Sequence, residues 1–125
     1  MLKSIKEKFV GLVAAVALIA SVASLYACAD HSPISADGAV ILDVRTPEEF
    51  ATGHVEGAIN INYRAGDFEK RVAELDRDTR YVVYCRSGNR SGKSIQIMEK
   101  VGFKNLQNAG GVQDAGKRLG LPIVK

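Results

Sequence analysis

One cysteine of this 125-residue chain lies in a loop that favours negative charge. Cys85 follows an apolar run at 81–84 that predicts a buried strand, and a helix is predicted to begin near Ser91. Backbone N–H groups at a helix N-terminus stabilise anions, and so do the neighbouring guanidinium groups of Arg86 and Arg90. We therefore predict that Cys85 is a thiolate nucleophile that acts on small anions.

The segments around this loop alternate between strand and helix patterns. The alternation predicts an α/β fold with a central parallel sheet flanked by helices. Ligands of such sheets bind at the carboxyl ends of the strands, which is where Cys85 lies. In chain order, the sequence predicts a strand over 39–44, a helix that Thr46 caps, Pro47 begins and Gly53 ends, a turn over 54–57 and a strand over 58–61. It then predicts a helix that Asp67 caps, with Phe68, Val72 and Leu75 on one face, followed by the strand over 81–84 and the helix to Val101. The remaining elements are a short strand over 103–106, a break at 110–111 and a weak helix over 112–119.

Residues 1–29 resemble an export signal. A basic start with three lysines precedes an uncharged apolar run that is short for a membrane span. Two endings compete. The small residues around Cys28 fit cleavage before Asp30, which would release a periplasmic domain over 30–125. The alternative is a lipoprotein signal that ends at a lipidated Cys28 and anchors the domain to a membrane. We favour release, because Tyr26 fits poorly in such a signal.

Charge and cysteine content narrow the range of partners. The net charge is +3, and the leader contains three of the lysines, so little basic excess remains for a nucleic-acid surface. The chain has two cysteines, and Cys28 lies in the leader, so the remaining domain has one thiol and no disulfide framework. We expect a small anionic partner and no nucleic acid.

Three segments of the chain resemble signatures of the rhodanese family. They occur in the family's order and spacing, and the likeness covers nearly all of residues 38–120. The chain is similar to the single-domain, exported thiosulfate sulfurtransferases of bacteria, including the phage-shock type. The segments are ILDVRTPEEF with GHVEGAINI at 41–50 and 53–61, VVYCRSGNRS at 82–91, and GF, NL and GG within 102–111.

The resemblance implies a rhodanese-like three-layer domain that transfers sulfur in two steps. The Cys85 thiolate would attack the sulfane sulfur of thiosulfate, release sulfite and hold a persulfide, from which cyanide or a thiol takes the sulfur. No cofactor or metal is implied. The implied site consists of catalytic Cys85 and a substrate-binding loop of Arg86, Ser87, Gly88, Asn89, Arg90 and Ser91.

Four of the six loop residues have a physical reason to be there. Loop N–H groups can stabilise a persulfide as they would an oxyanion, and Gly88 permits the tight backbone that this needs. Arg86 and Arg90 offer forked donors to the sulfonate oxygens of the substrate. Ser91 would either donate its hydroxyl to the sulfur or cap the helix. Four residues separate Cys85 from Arg90, one fewer than in cysteine phosphatases, which favours sulfur over phosphate or arsenate.

Three further polar residues are predicted to support the site rather than to react. Asp43 and Arg45 end a strand and are expected to tether neighbouring loops. His54 is expected to make a structural hydrogen bond, since no second ligand lies at a spacing that suits a metal. One departure from the family is Val112, where many members have an aromatic residue after the double glycine, and this predicts a more open pocket wall.

Two other functions remain as alternatives. A non-catalytic rhodanese-like carrier, sensing or binding module is one, although such modules usually lack the cysteine. A redox or arsenate-handling enzyme is the other, but it would need a second, resolving thiol, which the domain after residue 29 does not contain.

Overall fold

Strands and helices alternate along the chain and build a four-stranded parallel sheet. The computed structural model describes residues 31–125, so the export signal and Cys28 lie outside the described residues. None of the described helices is long and apolar enough to cross a membrane. The strands are β1 (Ala39–Asp43), β2 (His54–Val55), β3 (Ile59–Asn60), β4 (Arg80–Cys85), β5 (Leu106–Gly111) and β6 (Ile123–Val124), and the helices are α1 (Pro47–Thr52), α2 (Phe68–Ala73), α3 (Asn89–Lys100) and α4 (Val112–Leu119).

Strand β4 is one of the two inner strands of the sheet, whose strand order is β3-β1-β4-β5. Its side chains alternate between two buried clusters. Val83 and Cys85 belong to one cluster, together with Met98 of α3. Val82 belongs to the other, together with Leu119 of α4. Helices therefore cover both faces, the predicted α/β fold is confirmed, and Cys85 lies on the α3 side.

Strand β5 differs from its prediction. The sequence predicts a strand over 103–106 and a break at the double glycine, but Phe103 packs in the core before the strand begins, and the strand continues through Gly111. The double glycine stays in the sheet because β5 pairs with the end of β4, where Cys85 lies opposite Gly111. That prediction was wrong because apolar periodicity cannot detect a strand whose side chains are mostly small or absent.

A second, two-stranded sheet was also missed. Strand β2 pairs antiparallel with β6, and His54 lies opposite Val124. The sequence predicts a turn over 54–57 and no strand near the C-terminus. Two residues are too few to show the alternation that identifies a strand, so this pairing could not be read from the pattern.

The helix starts were predicted with mixed success. Thr46 caps α1, and its hydroxyl accepts the N–H of Glu49 while the Glu49 carboxylate accepts from the Thr46 N–H, as in a capping box. Asp67 precedes α2, but its side chain makes no capping bond. Helix α3 begins at Asn89, two residues before the predicted start, and Gly88 is its N-cap with a left-handed φ of 97°.

Candidate active site

The sulfur of Cys85 is buried at the carboxyl end of strand β4. The residue is 1% exposed, and it is the free cysteine of residues 31–125. The loop folds back so that the Gly88 N–H donates to Cys85 Sγ at 3.0 Å. Ser91 Oγ lies 3.5 Å from the same sulfur. The Gly88 N–H donates and the Ser91 hydroxyl can donate, and this arrangement suits a sulfur that carries negative charge.

Burial and hydrogen bonding act on the Cys85 thiol in opposite directions. Burial is the largest single influence and raises its pKa. Hydrogen bonds from the Ser91 side chain, and from the backbone of Ser91, Ser87 and Gly88, together outweigh burial, so the pKa of Cys85 lies below its ordinary value. These donors belong to the loop and to the first turn of α3, where the sequence predicts N–H groups that favour negative charge. The charge of Arg90 also interacts with Cys85.

The loop requires glycine at its closest contact with strand β5. A Cβ atom on Gly111 would lie 2.5 Å from the carbonyl oxygen of Arg86. Gly88 also faces this strand, since a Cβ there would lie 3.4 Å from Gly110 Cα, and its φ of 97° is one that other residues rarely adopt. The double glycine of the third signature therefore lets the strand approach the cysteine loop.

The two loop arginines occupy different environments. Arg86 is exposed. Arg90 makes a bidentate ion pair with Glu49 of α1, with Nη1 2.7 Å from Oε1 and Nη2 3.0 Å from Oε2. The hydrogen bond from Arg90 lowers the pKa of Glu49 to about 2. An incoming anion would therefore meet an Arg90 guanidinium that already has a carboxylate partner.

Glu49 was not singled out as a site residue from the sequence. Its carboxylate accepts from Thr46 at the start of α1 and from Arg90 at the start of α3. The Thr-x-x-Glu spacing was the available signal for the first contact. No sequence pattern indicates the second, which joins residues 41 positions apart.

Asp43 and Arg45 form a buried ion pair behind the site. Arg45 donates to both carboxylate oxygens of Asp43, at 2.7 Å for the closest contact, and its Nη2 also donates to the Gly53 carbonyl. The pair thus joins the end of β1 to the end of α1. Both residues are nearly inaccessible, at 0% and 4% exposed.

His54 lies beside α1. Its ring stacks on Phe50, with centroids 3.7 Å apart, and its Nδ1 lies 3.0 Å from the Phe50 carbonyl oxygen. These contacts hold the end of α1 against strand β2.

The remaining loop residues surround the buried sulfur at the surface. Ser87 and Asn89 are exposed, whereas Ser91 is fully buried. Ser91 does not cap α3, because Gly88 occupies that position. Its hydroxyl donates to Oδ1 of Asn108 on β5 at 2.8 Å. Asn108 is a site residue that the sequence reasoning missed, because it belongs to the part of β5 that lies beyond the strand predicted over 103–106.

The fold and this site define a class of protein. It is a parallel α/β domain in which an inner strand ends at a buried cysteine of lowered pKa, and backbone donors surround the sulfur. A family model for the rhodanese-like domain matches residues 31–114, which is more than half of the chain. The chain belongs to the rhodanese family.

Named proteins are similar in sequence or structure to much of this domain. The thiosulfate sulfurtransferase PspE of Escherichia coli (strain K12) is 36% identical over 86 residues, which cover 67% of this chain and 77% of PspE. The thiosulfate sulfurtransferase GlpE of Pseudomonas entomophila is 37% identical over 79 residues, covering 62% of this chain and 70% of GlpE. Among solved structures, a rhodanese with anions from E. coli has a TM-score of 0.58 and 34% identity, covering 70% of this chain and 98% of that one.

Proposed function

We propose that this chain is a sulfurtransferase that moves the sulfane sulfur of thiosulfate to cyanide or a thiol through a persulfide on Cys85. The observation that carries the proposal is the buried sulfur that accepts the Gly88 N–H at 3.0 Å and has a lowered pKa. The names of PspE and GlpE, both thiosulfate sulfurtransferases, support the choice of donor.

The first step forms one S–S bond and breaks another. The Cys85 thiolate attacks the sulfane sulfur, and the electron pair of the thiosulfate S–S bond leaves with sulfite. In the second step the acceptor attacks the outer sulfur of the persulfide and the Cys85 thiolate leaves. No external oxidant or reductant is consumed, because the sulfane sulfur passes unchanged from one nucleophile to the next.

The loop would stabilise the charge that moves between these sulfurs. Backbone N–H groups of Ser87, Gly88 and Ser91 are preorganised donors and need no rearrangement during the reaction. Arg86 would bind the sulfonate oxygens from the surface. Arg90 would act while paired with Glu49, so its charge adds to the local field and its orientation is fixed by the ion pair.

The proposal includes export, on the evidence of residues 1–29 alone. In that case the donor and acceptor are small molecules of the periplasm, and a membrane is involved only if Cys28 is lipidated. The N-terminal mass of the protein isolated from cells distinguishes an N-terminus at Asp30 from a lipidated Cys28.

Steady-state turnover tests the proposed reaction. Thiosulfate and cyanide should give thiocyanate and sulfite in equal amounts with the wild-type chain and neither product with Cys85→Ala. Arg86→Ala should raise KM for thiosulfate several-fold, whereas Arg71→Ala, the same change at an exposed position of α2, should leave it unchanged. Failure of the wild-type chain to form thiocyanate would exclude this activity and favour the carrier or binding module.

A further inference from the structure

Asn108, an exposed residue on β5, uses both polar atoms of its side chain to bind the cysteine loop. Asn108 Oδ1 accepts from the Ser91 hydroxyl at 2.8 Å and from the Gly110 N–H at 3.0 Å. Its Nδ2 donates to the Gly88 carbonyl at 3.1 Å. Two of these partners, Gly88 and Ser91, also contact Cys85 Sγ.

The backbone partners fix which way the Asn108 amide faces. The Gly110 N–H can only donate and the Gly88 carbonyl can only accept, so a flipped amide would lose both bonds. The oxygen of Asn108 therefore faces Ser91, and the Ser91 hydroxyl must donate to it. The lone pairs of Ser91 Oγ, rather than its proton, then face a neutral Cys85 thiol. When the thiol ionises, the Ser91 hydroxyl has to rotate before it can donate to the sulfur.

Two glycines border the amide group at ordinary contact distance. A Cβ on Gly92 would lie 3.5 Å from Asn108 Nδ2, and one on Gly88 would lie 4.0 Å from it. Glycine is a poor helix former, yet Gly92 lies in the first turn of α3. The surroundings of the Asn108 side chain thus include both the loop and the helix that follows it.

We infer that Asn108 is a positioning residue for Cys85. It holds Gly88 by its carbonyl, so that the N–H of the same residue stays on Sγ, and it holds the Ser91 side chain so that Oγ stays 3.5 Å from Sγ. The inference rests on the proposed function, in which the Cys85 thiolate is the nucleophile. Because Asn108 is exposed, its removal leaves no cavity in the core, and its effect should appear at the sulfur rather than in the stability of the fold.

The charged groups of the elements that meet here would all be kept in an Asn108→Ala chain. They are Arg86 of the loop, Arg90 of α3, Glu49 of α1, and Asp114 and Arg118 of α4; Asp114 is near Gly110, and Arg118 Nη1 donates to the Asn108 backbone carbonyl at 3.4 Å. A change in the titration of Cys85 would therefore report on the three lost hydrogen bonds.

The test is the rate of Cys85 alkylation by iodoacetamide as a function of pH, in the full chain. Asn108→Ala should move the midpoint upward by about one pH unit, which lowers the rate at neutral pH about tenfold while the limiting rate at high pH is kept. Asn108→Asp should move it further, because a carboxylate cannot donate to Gly88 and adds negative charge. Asn105→Ala, an exposed asparagine outside the site, should match the wild type.

A midpoint that is unchanged or lower in Asn108→Ala would overturn the inference, whatever happens to the melting temperature. Alkylation reads the thiolate directly, so it remains informative if the wild-type chain fails to transfer sulfur. Failure of the proposed function and failure of this inference are therefore distinguishable. Where sulfur transfer is observed, kcat should fall about tenfold in Asn108→Ala with little change in KM for thiosulfate.

Discussion

Gly111→Ala is predicted to displace the cysteine loop without straining its own backbone. Gly111 has φ −85° and ψ 169°, which alanine adopts readily. The added methyl group, however, would lie 2.5 Å from the Arg86 carbonyl oxygen, 3.3 Å from its carbon and 3.8 Å from Ser87 Cα. The close contact is with backbone on the loop side, so no side-chain rotation can relieve it.

The expected loss of activity in Gly111→Ala follows from the distance between the added methyl group and the Arg86 carbonyl oxygen. A carbon–oxygen contact normally settles near 3.3–3.6 Å, so the Arg86 peptide or strand β5 must move by roughly 1 Å. Overpacking of this kind costs about 1–3 kcal/mol of folding free energy. A shift of about 1 Å in a reacting group can cost about 100-fold in rate, and the N–H donors of Ser87 and Gly88 follow directly after the displaced carbonyl. We expect a 10- to 100-fold loss of kcat and a higher pKa for Cys85.

The assay compares thiocyanate formation and the pH midpoint of Cys85 alkylation in Gly111→Ala and Gly66→Ala. Gly66 is the matched control, since a Cβ there meets no atom within 4 Å and its φ is not in the left-handed region. Urea denaturation of both variants separates a displaced loop from an unfolded chain. If Gly111→Ala keeps the activity and alkylation midpoint of Gly66→Ala, the proposed steric coupling between β5 and the cysteine loop is refuted.

Three further predictions follow from the ion pairs and from Ser91. The pKa of Glu49 falls from its ordinary 4.5 to about 2 on folding, so the stability that Glu49 contributes is complete above pH 4.5 and is lost as the pH falls toward 2. This acid-sensitive part of the free energy of unfolding is about 1–2 kcal/mol after allowance for partial exposure. Urea titrations across that pH range should show that Glu49→Gln lacks it. Asp43→Ala leaves the Arg45 guanidinium buried without its carboxylate and should lower the free energy of unfolding by about 3–5 kcal/mol, and an unchanged urea midpoint would contradict a structural role. Ser91→Ala removes the side-chain donor to Cys85 and should raise the alkylation midpoint of the thiol, with retention of the wild-type midpoint as the contrary result.

The sequence predicted the fold best where the pattern of apolar and capping residues is local. The apolar run before Cys85, the Thr46 cap and the strand–helix alternation led to the parallel sheet and to the place of the cysteine at a strand end. These features are local, so a single stretch of chain specifies them. The family signatures are also local strings, which is why the resemblance was visible without a structure.

The contacts that set the chemistry of the site are not local. The Glu49–Arg90 pair joins residues 41 positions apart, and the Ser91–Asn108 bond joins residues 17 apart. Strand β5 has few large side chains, so its course past the cysteine loop depends on the absence of a Cβ at Gly111 rather than on an apolar pattern. Such close approaches between backbones have no periodicity that a sequence could reveal.

The central claim is that Cys85 carries the transferred sulfur, and intact mass spectrometry tests it most directly. The purified chain would be measured before and after thiosulfate, then after cyanide, with Cys85→Ala in parallel. A gain of one sulfur, about 32 Da, in the wild type alone, reversed by cyanide, is the predicted result. No gain in the wild type, or an equal gain in Cys85→Ala, would contradict the account.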